Sequence, residues 1–169
     1  GAAIARVPFS TAANLDDAVQ AAKAALPAWR GVSTIARARK LFELREKLEA
    51  RKDEIARCVV TEMGKTFPDA RAEVGRMIEM VEAATAVPQT MQGQILEGIA
   101  TNVDCETIRQ PVGVCAAITP FNFPAMVPMW FLPFAIGCGN TFVLKPSEQD
   151  PMTMELVMGM IAEAGIPDG

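Results

Sequence analysis

The sequence predicts an α/β fold, with amino-terminal helices followed by a βαβ unit of an open parallel sheet. Three observations carry this. Segments from Asn14 to Pro88 repeat apolar residues at helical spacing. Residues 112–119 (VGVCAAIT) and 141–145 (TFVLK) are short apolar runs, as expected of strands covered on both faces. Between them, Pro124 to Cys138 is apolar and long enough to form the crossover helix that parallel pairing needs.

Asn14 is expected to N-cap the first helix, with Asp16 and Asp17 in its positive first turn. Leu15, Ala18, Val19, Ala22, Leu26 and Trp29 follow at helical spacing. Pro27 marks a kink or an end, and Gly31 closes the segment. Ser33 or Thr34 caps a second helix with Ile35, Ala38, Leu41, Phe42 and Leu48 on one face. Its other face, rich in Arg, Lys and Glu, is a solvated surface. A third helix carries Ile55, Cys58, Val59 and Met63 and ends at Gly64. Pro68 suits the first turn of a fourth, with Val74, Met77, Ile78 and Val81 as its apolar stripe and Pro88 marking its end. Residues 101–110 (TNVDCETIRQ) read as one strand with a wet face, broken by Pro111. Met152 to Ala164 is a last helix, with Gly165 as its C-cap.

Composition excludes several functions. The net charge of −4 and the lack of a basic stripe argue against nucleic acid. The chain has no histidine, which removes Ser-His-Asp and Cys-His machinery from it. Cys58, Cys105, Cys115 and Cys138 form no CxxC pair, so no metal site and no disulfide framework are expected. A reducing, cytoplasmic setting follows. No charge falls between Arg109 and Lys145, but Pro111, Pro120, Pro124, Pro128 and Pro133 interrupt that stretch. Broken backbone is costly in lipid, so no membrane span is expected.

In an open α/β sheet, ligands bind beyond the carboxyl ends of the strands. Thr119-Pro120-Phe121-Asn122-Phe123-Pro124 and Lys145-Pro146-Ser147-Glu148 both fall there. Asn122 is either a neutral hydrogen-bond donor for an oxyanion or a turn asparagine bonded to its own backbone. Lys145 and Glu148 either hold a ribose, with the carboxylate repelling a 2′-phosphate, or form a surface ion pair. Gly137-Cys138-Gly139 precedes a strand, so it reads as a helix-to-strand turn and not as a phosphate loop. Arg76 has Glu73 and Glu79 three residues away on either side; spacing favours a helix ion pair over a fork for a substrate carboxylate.

ITPFNFP (118–124) followed by GNTFVLKPSE (139–148) resembles the paired signature of the aldehyde dehydrogenase superfamily. The likeness extends from IARVPFSTAANLDDAVQAAKAALPAWRG (4–31) to AGIPDG (164–169). AEVGRMIEMVEAA (72–84) and the 120–148 stretch resemble its CoA-acylating methylmalonate-semialdehyde branch. The resemblance implies an amino-terminal piece of a longer enzyme. Residues 1–94 would be the helical part of a Rossmann-like NAD-binding domain, and 95–110 the start of oligomerisation strands. Residues 111–169 would be its first βαβα unit, truncated before the catalytic domain.

It also implies roles. Asn122 would supply the oxyanion-hole side chain. Thr119 and Phe121 would contact NAD through their backbone. Lys145 and Glu148 would hold the adenosine ribose, with Gln149 adjacent, where the family often has Arg. Arg76 would bind the carboxylate of a semialdehyde substrate. A cysteine beyond residue 169 would attack the aldehyde, and hydride would pass to NAD. CoA as co-substrate would then take the acyl group, giving propionyl-CoA from methylmalonate semialdehyde or acetyl-CoA from malonate semialdehyde. The complete enzyme would be a homo-oligomer, and the chain alone would be inactive. Two other readings stand beside this one: a hydrolytic NAD(P)-dependent aldehyde dehydrogenase of another substrate class, and a non-catalytic fragment.

Overall fold

The structure, a computed structural model, describes residues 3–169, so residues 1 and 2 of the expected helical part lie outside the described residues. Helix α1 (Ala12–Gly31) starts ahead of the expected Asn14 cap. Thr11 is the N-cap, and Asn14 sits at N3. The Thr11 hydroxyl accepts the Asn14 N–H at 3.3 Å, and Asn14 Oδ1 accepts the Thr11 N–H at 2.9 Å. This reciprocal box satisfies two orphan donors and moves Asp16 and Asp17 beyond the first turn. Pro27 lies inside α1, which runs on to Gly31.

Ser33 caps α2 (Thr34–Ala50). Helix α3 (Lys52–Met63) ends at Gly64, whose φ of 84° is the left-handed turn that favours glycine. Thr66 caps α4 (Phe67–Ala84), with Pro68 in the first turn. That helix stops at Ala84, and Pro88 instead opens a short helix, α5 (Val87–Thr90). Leu41, Leu44, Leu48, Ile55, Val59 and the expected α4 stripe are buried together. Ile35 and Phe42, expected on the buried face of α2, are exposed. They lie roughly 125–145° around the helix from the line through Leu41, Leu44 and Leu48.

Residues 101–110 are not one strand: only Val103–Glu106 is extended within them. β1 (Ile95–Ala100) and β2 (Val103–Glu106) form an antiparallel hairpin, turning through Asn102 at φ 61°. Both strands are exposed along their length, so the β-branched alternation does not mark a buried face.

β3 (Val114–Ile118) and β4 (Thr141–Lys145) pair in parallel, from Val114 opposite Thr141 to Ile118 opposite Lys145. The crossover is two short helices, α6 (Met126–Met129) and α7 (Leu132–Gly137), instead of one. Pro133 removes an N–H donor and crowds the carbonyl four residues back, so the helix restarts there. One face of the pair is left open: Ile118 is 83% exposed, which corrects the expectation of strands covered on both faces.

The carboxyl end of α7 is tied to the helical layer. Trp29 Nε1 donates to Ile136 O and the buried Arg37 Nε to Gly137 O, each at 2.9 Å. The turn that follows is as tight as its glycines imply. A Cβ on Gly139 (φ 93°) would lie 2.9 Å from Pro111 Cγ and 3.0 Å from Arg37 Cζ.

Helix α8 (Met152–Glu163) is capped from outside: Glu62 accepts the Met152 and Thr153 N–H groups, both at 2.8 Å. Asp150 is buried just before it. Burial, reinforced by Glu62 and Glu73 against the opposing Ser147 hydroxyl and Lys65, pushes its carboxyl up to about 6 from 3.8. The folded state therefore holds this proton more tightly than the unfolded one. Stability contributed by the neutral acid is present below about pH 4 and is lost as pH rises through about 6. Asp150→Asn should raise Tm at pH 7 by roughly 5 °C and leave it unchanged at pH 4. Melting curves at the two pH values check this.

Candidate functional site

The parallel register delivers both expected loops to one edge. Ile118 and Lys145 are partners at the carboxyl ends of β3 and β4, and the Thr119 N–H donates to Lys145 O at 3.1 Å. Thr119 is buried, while Phe121 is half-exposed and Asn122 is exposed. The Asn122 carboxamide makes no hydrogen bond among the described residues, to its own backbone or elsewhere. The turn-asparagine alternative thus has no bond to stand on.

What fixes this loop is its backbone. Lys65, just after the Gly64 turn, donates Nζ to Asn122 O at 2.7 Å and also to Glu73 Oε2. The same Nζ stands 3.9 Å from the centre of the Phe123 ring. Glu73 Oε1 accepts the Ala125 N–H at 2.9 Å and the Met126 N–H at 3.2 Å. The Glu73 side chain is 1% exposed and that of Lys65 14%. An uncharged donor on a held backbone, open to solvent on its working side, has the properties that oxyanion stabilisation requires.

Lys145 Nζ and Glu148 Oε2 form an ion pair at 2.8 Å, both half-exposed. The hydrogen bond from Lys145, helped by Glu148's own backbone, holds the Glu148 carboxyl below the usual carboxylate range. Glu148 Oε1 stays uncommitted among the described residues, which leaves an acceptor for a hydroxyl. Gln149 is exposed, and its N–H donates to Ser147 Oγ at 3.1 Å.

Arg76 lies one turn along α4 from Glu73 but does not pair with it. Its partner is Glu79, at 2.9 Å, and its side chain is 70% exposed. It borders an open groove with Met80, Met126 and Trp130. Arg76 and Asn122 are therefore linked through neighbours: Met126, a wall of that groove, is in the segment that Glu73 holds.

Burial pushes the Cys58, Cys115 and Cys138 thiols up, and Cys105 lies on the exposed hairpin. Among the described residues no cluster of His, Cys, Asp and Glu could hold a metal ion, and no helix is long and apolar enough to cross a membrane.

Sequence reasoning missed Lys65 and Glu73. A signal existed for Glu73, which shares the buried face of α4 with Ala70, Val74 and Met77. A carboxylate on an apolar stripe needs a partner. Lys65 had no comparable signal, because its partners are distant in sequence.

Known proteins share this fold. The aldehyde dehydrogenase family profile matches residues 1–169. The malonate-semialdehyde dehydrogenase of Lacticaseibacillus casei is 48% identical over 169 residues, covering 100% of this chain and 34% of that protein. A Dictyostelium discoideum protein assigned as an acylating, mitochondrial methylmalonate-semialdehyde/malonate-semialdehyde dehydrogenase is 46% identical over 166 residues, covering 98% and 31%. A Sinorhizobium meliloti crystal structure, assigned as a methylmalonate-semialdehyde dehydrogenase complexed with NAD, superposes with a TM-score of 0.93 at 40% identity, covering 95% of this chain and 33% of that one. The chain thus spans about a third of the length of the relatives it matches. The α/β arrangement is that of these enzymes, and the chain belongs to the aldehyde dehydrogenase family.

Proposed function

We propose that this chain contributes the oxyanion and ribose side of an NAD-dependent oxidation of malonate or methylmalonate semialdehyde, with CoA as the acyl acceptor. One observation carries the reading. The Asn122 backbone is held, with its carboxamide uncommitted, at the strand edge that also presents the Lys145–Glu148 pair. NAD, when bound, supplies the hydride acceptor. The residues present fit it: Glu148 offers a free carboxylate oxygen to a ribose hydroxyl, Lys145 orients that carboxylate, and its charge disfavours a 2′-phosphate. Thr119 and Phe121 present backbone beside it, with Gln149 at the margin.

Asn122 stabilises the oxyanion that forms when a thiol from outside these residues attacks the aldehyde carbon. Arg76 grips the far carboxylate, exchanging Glu79 for the substrate, with Met80, Met126 and Trp130 around it. The names of the similar semialdehyde dehydrogenases support this substrate class, and the acylating relative supports CoA. The exposed β1–β2 hairpin is offered as part of a subunit contact in a homo-oligomer.

The test is aldehyde-dependent NADH formation by the complete enzyme, with product analysis. Acetyl-CoA or propionyl-CoA formation is expected. Free acid formed without CoA would instead favour a hydrolytic aldehyde dehydrogenase. Arg76→Ala should lower kcat/KM for malonate semialdehyde by roughly 10²-fold while propanal loses little. Equal losses on both substrates would return Arg76 to a plain helix ion pair.

A further inference from the structure

The sequence presents Lys65 only as the residue after a helix-ending glycine, and Glu73 only as a neighbour of Arg76. In the folded chain the two meet, and between them they make four hydrogen bonds and one ring contact. Apart from the bond between themselves, all go to residues 122–126. Burying a carboxylate to 1% exposure beside an ammonium is an expensive way to attach a loop. Apolar packing would hold it at lower desolvation cost. Packing, however, is tolerant of small slides, whereas hydrogen bonds fix direction. The directions fixed here are those of the Asn122 carbonyl and the Ala125 and Met126 amides, on either side of Phe123 and Pro124. They set where the Asn122 Cα–Cβ bond points while leaving its carboxamide unengaged.

We infer that Lys65 and Glu73 are positioning residues for the proposed reaction, clamping the Asn122 loop so that its carboxamide meets the developing oxyanion. The inference rests on the oxyanion role of Asn122. Lys65 acts at two points, pulling on the Asn122 carbonyl and covering Phe123. Glu73 anchors both Lys65 and the start of α6. Neither residue touches the substrate.

A double-variant cycle in the complete enzyme tests this, using malonate semialdehyde, NAD and CoA. Lys65→Met keeps the apolar stem and removes the donor. Its kcat should fall roughly 10²-fold, the usual consequence of a small misplacement at the reacting centre. KM for the aldehyde and affinity for NAD should change less than about 3-fold. In an Asn122→Ala background the same substitution should cost less than about 3-fold more, because the residue it positions is gone. Lys65→Arg should recover part of the loss in the single variant. Wild-type kcat in Lys65→Met, or losses that simply multiply in the double variant, would overturn the positioning role. If Lys65→Met does not fold, Lys65→Gln runs the same cycle with the same two overturning outcomes. An active parent with these results sinks the inference alone. A parent with no aldehyde-dependent NADH formation sinks the proposed function and the inference with it.

Discussion

Asn122→Ala should lower kcat of the complete enzyme by roughly 10²- to 10³-fold, with KM for the aldehyde little changed. The oxyanion exists only after the nucleophile has added, so a donor aimed at it contributes little to ground-state binding. Its loss therefore falls on the chemical step. Two structural facts raise the expected effect. The carboxamide has no partner to give up before it can bind the oxyanion, and its backbone is held on the carbonyl side by Lys65 at 2.7 Å. A donor with no protein partner, carried on a fixed backbone, needs little reorganisation at the moment of reaction. Steady-state kinetics with and without the substitution decide it. An unchanged kcat would return Asn122 to being a surface loop residue.

Glu73→Ala should destabilise the fold by about 3–5 kcal/mol, far more than removal of any surface carboxylate in this chain. Three donors lose their acceptor at once: Lys65 Nζ and the Ala125 and Met126 amides. The site is buried against Ala70, Val74 and Met77, so water does not readily replace the lost acceptor. Glu73→Gln, which keeps an acceptor oxygen for the two amides, should lose about half as much. By contrast, Glu79→Ala breaks a half-exposed pair with Arg76 and should cost less than about 1 kcal/mol. Urea midpoints of the three variants give the ranking. A Glu73→Ala midpoint equal to that of Glu79→Ala would mean that the clamp carries no stability.

The helices and the paired strands were legible because their signals are local. Val74, Met77, Ile78 and Val81 recur at helical spacing and are buried, and VGVCAAIT and TFVLK became parallel partners. The errors came where a neighbour overrode the local signal. Asn14 has the chemistry of a cap, but Thr11 lies where the reciprocal box can close. Apolar content marked one helix over 124–138, but Pro133 splits it. In the 101–110 segment the alternation was real but nothing covers it, and the turn at Asn102 was taken for strand.

The site divided in the same way. Asn122, Lys145 and Glu148 were readable because parallel pairing sends the ends of both strands to one edge. Arg76 kept the helix ion pair that spacing favours, although with Glu79 alone. Lys65 could not have been found, since it reaches Asn122 across a gap of 57 residues that no periodicity encodes.

Helix α4 gives the arrangement a built-in scale. Glu73 holds the loop proposed to meet the reacting carbonyl, and Arg76, three residues later, is the proposed grip for the other end, a rise of about 4.5 Å along a rigid rod. A substrate held between Asn122 and Arg76 would be gauged against the pitch of a backbone helix, which does not stretch. Lengthening the substrate by a carbon would then require moving the arginine to a new position along α4, not merely enlarging a pocket. Selectivity for chain length and rate of turnover would be tied to the same element, so neither could drift far without the other.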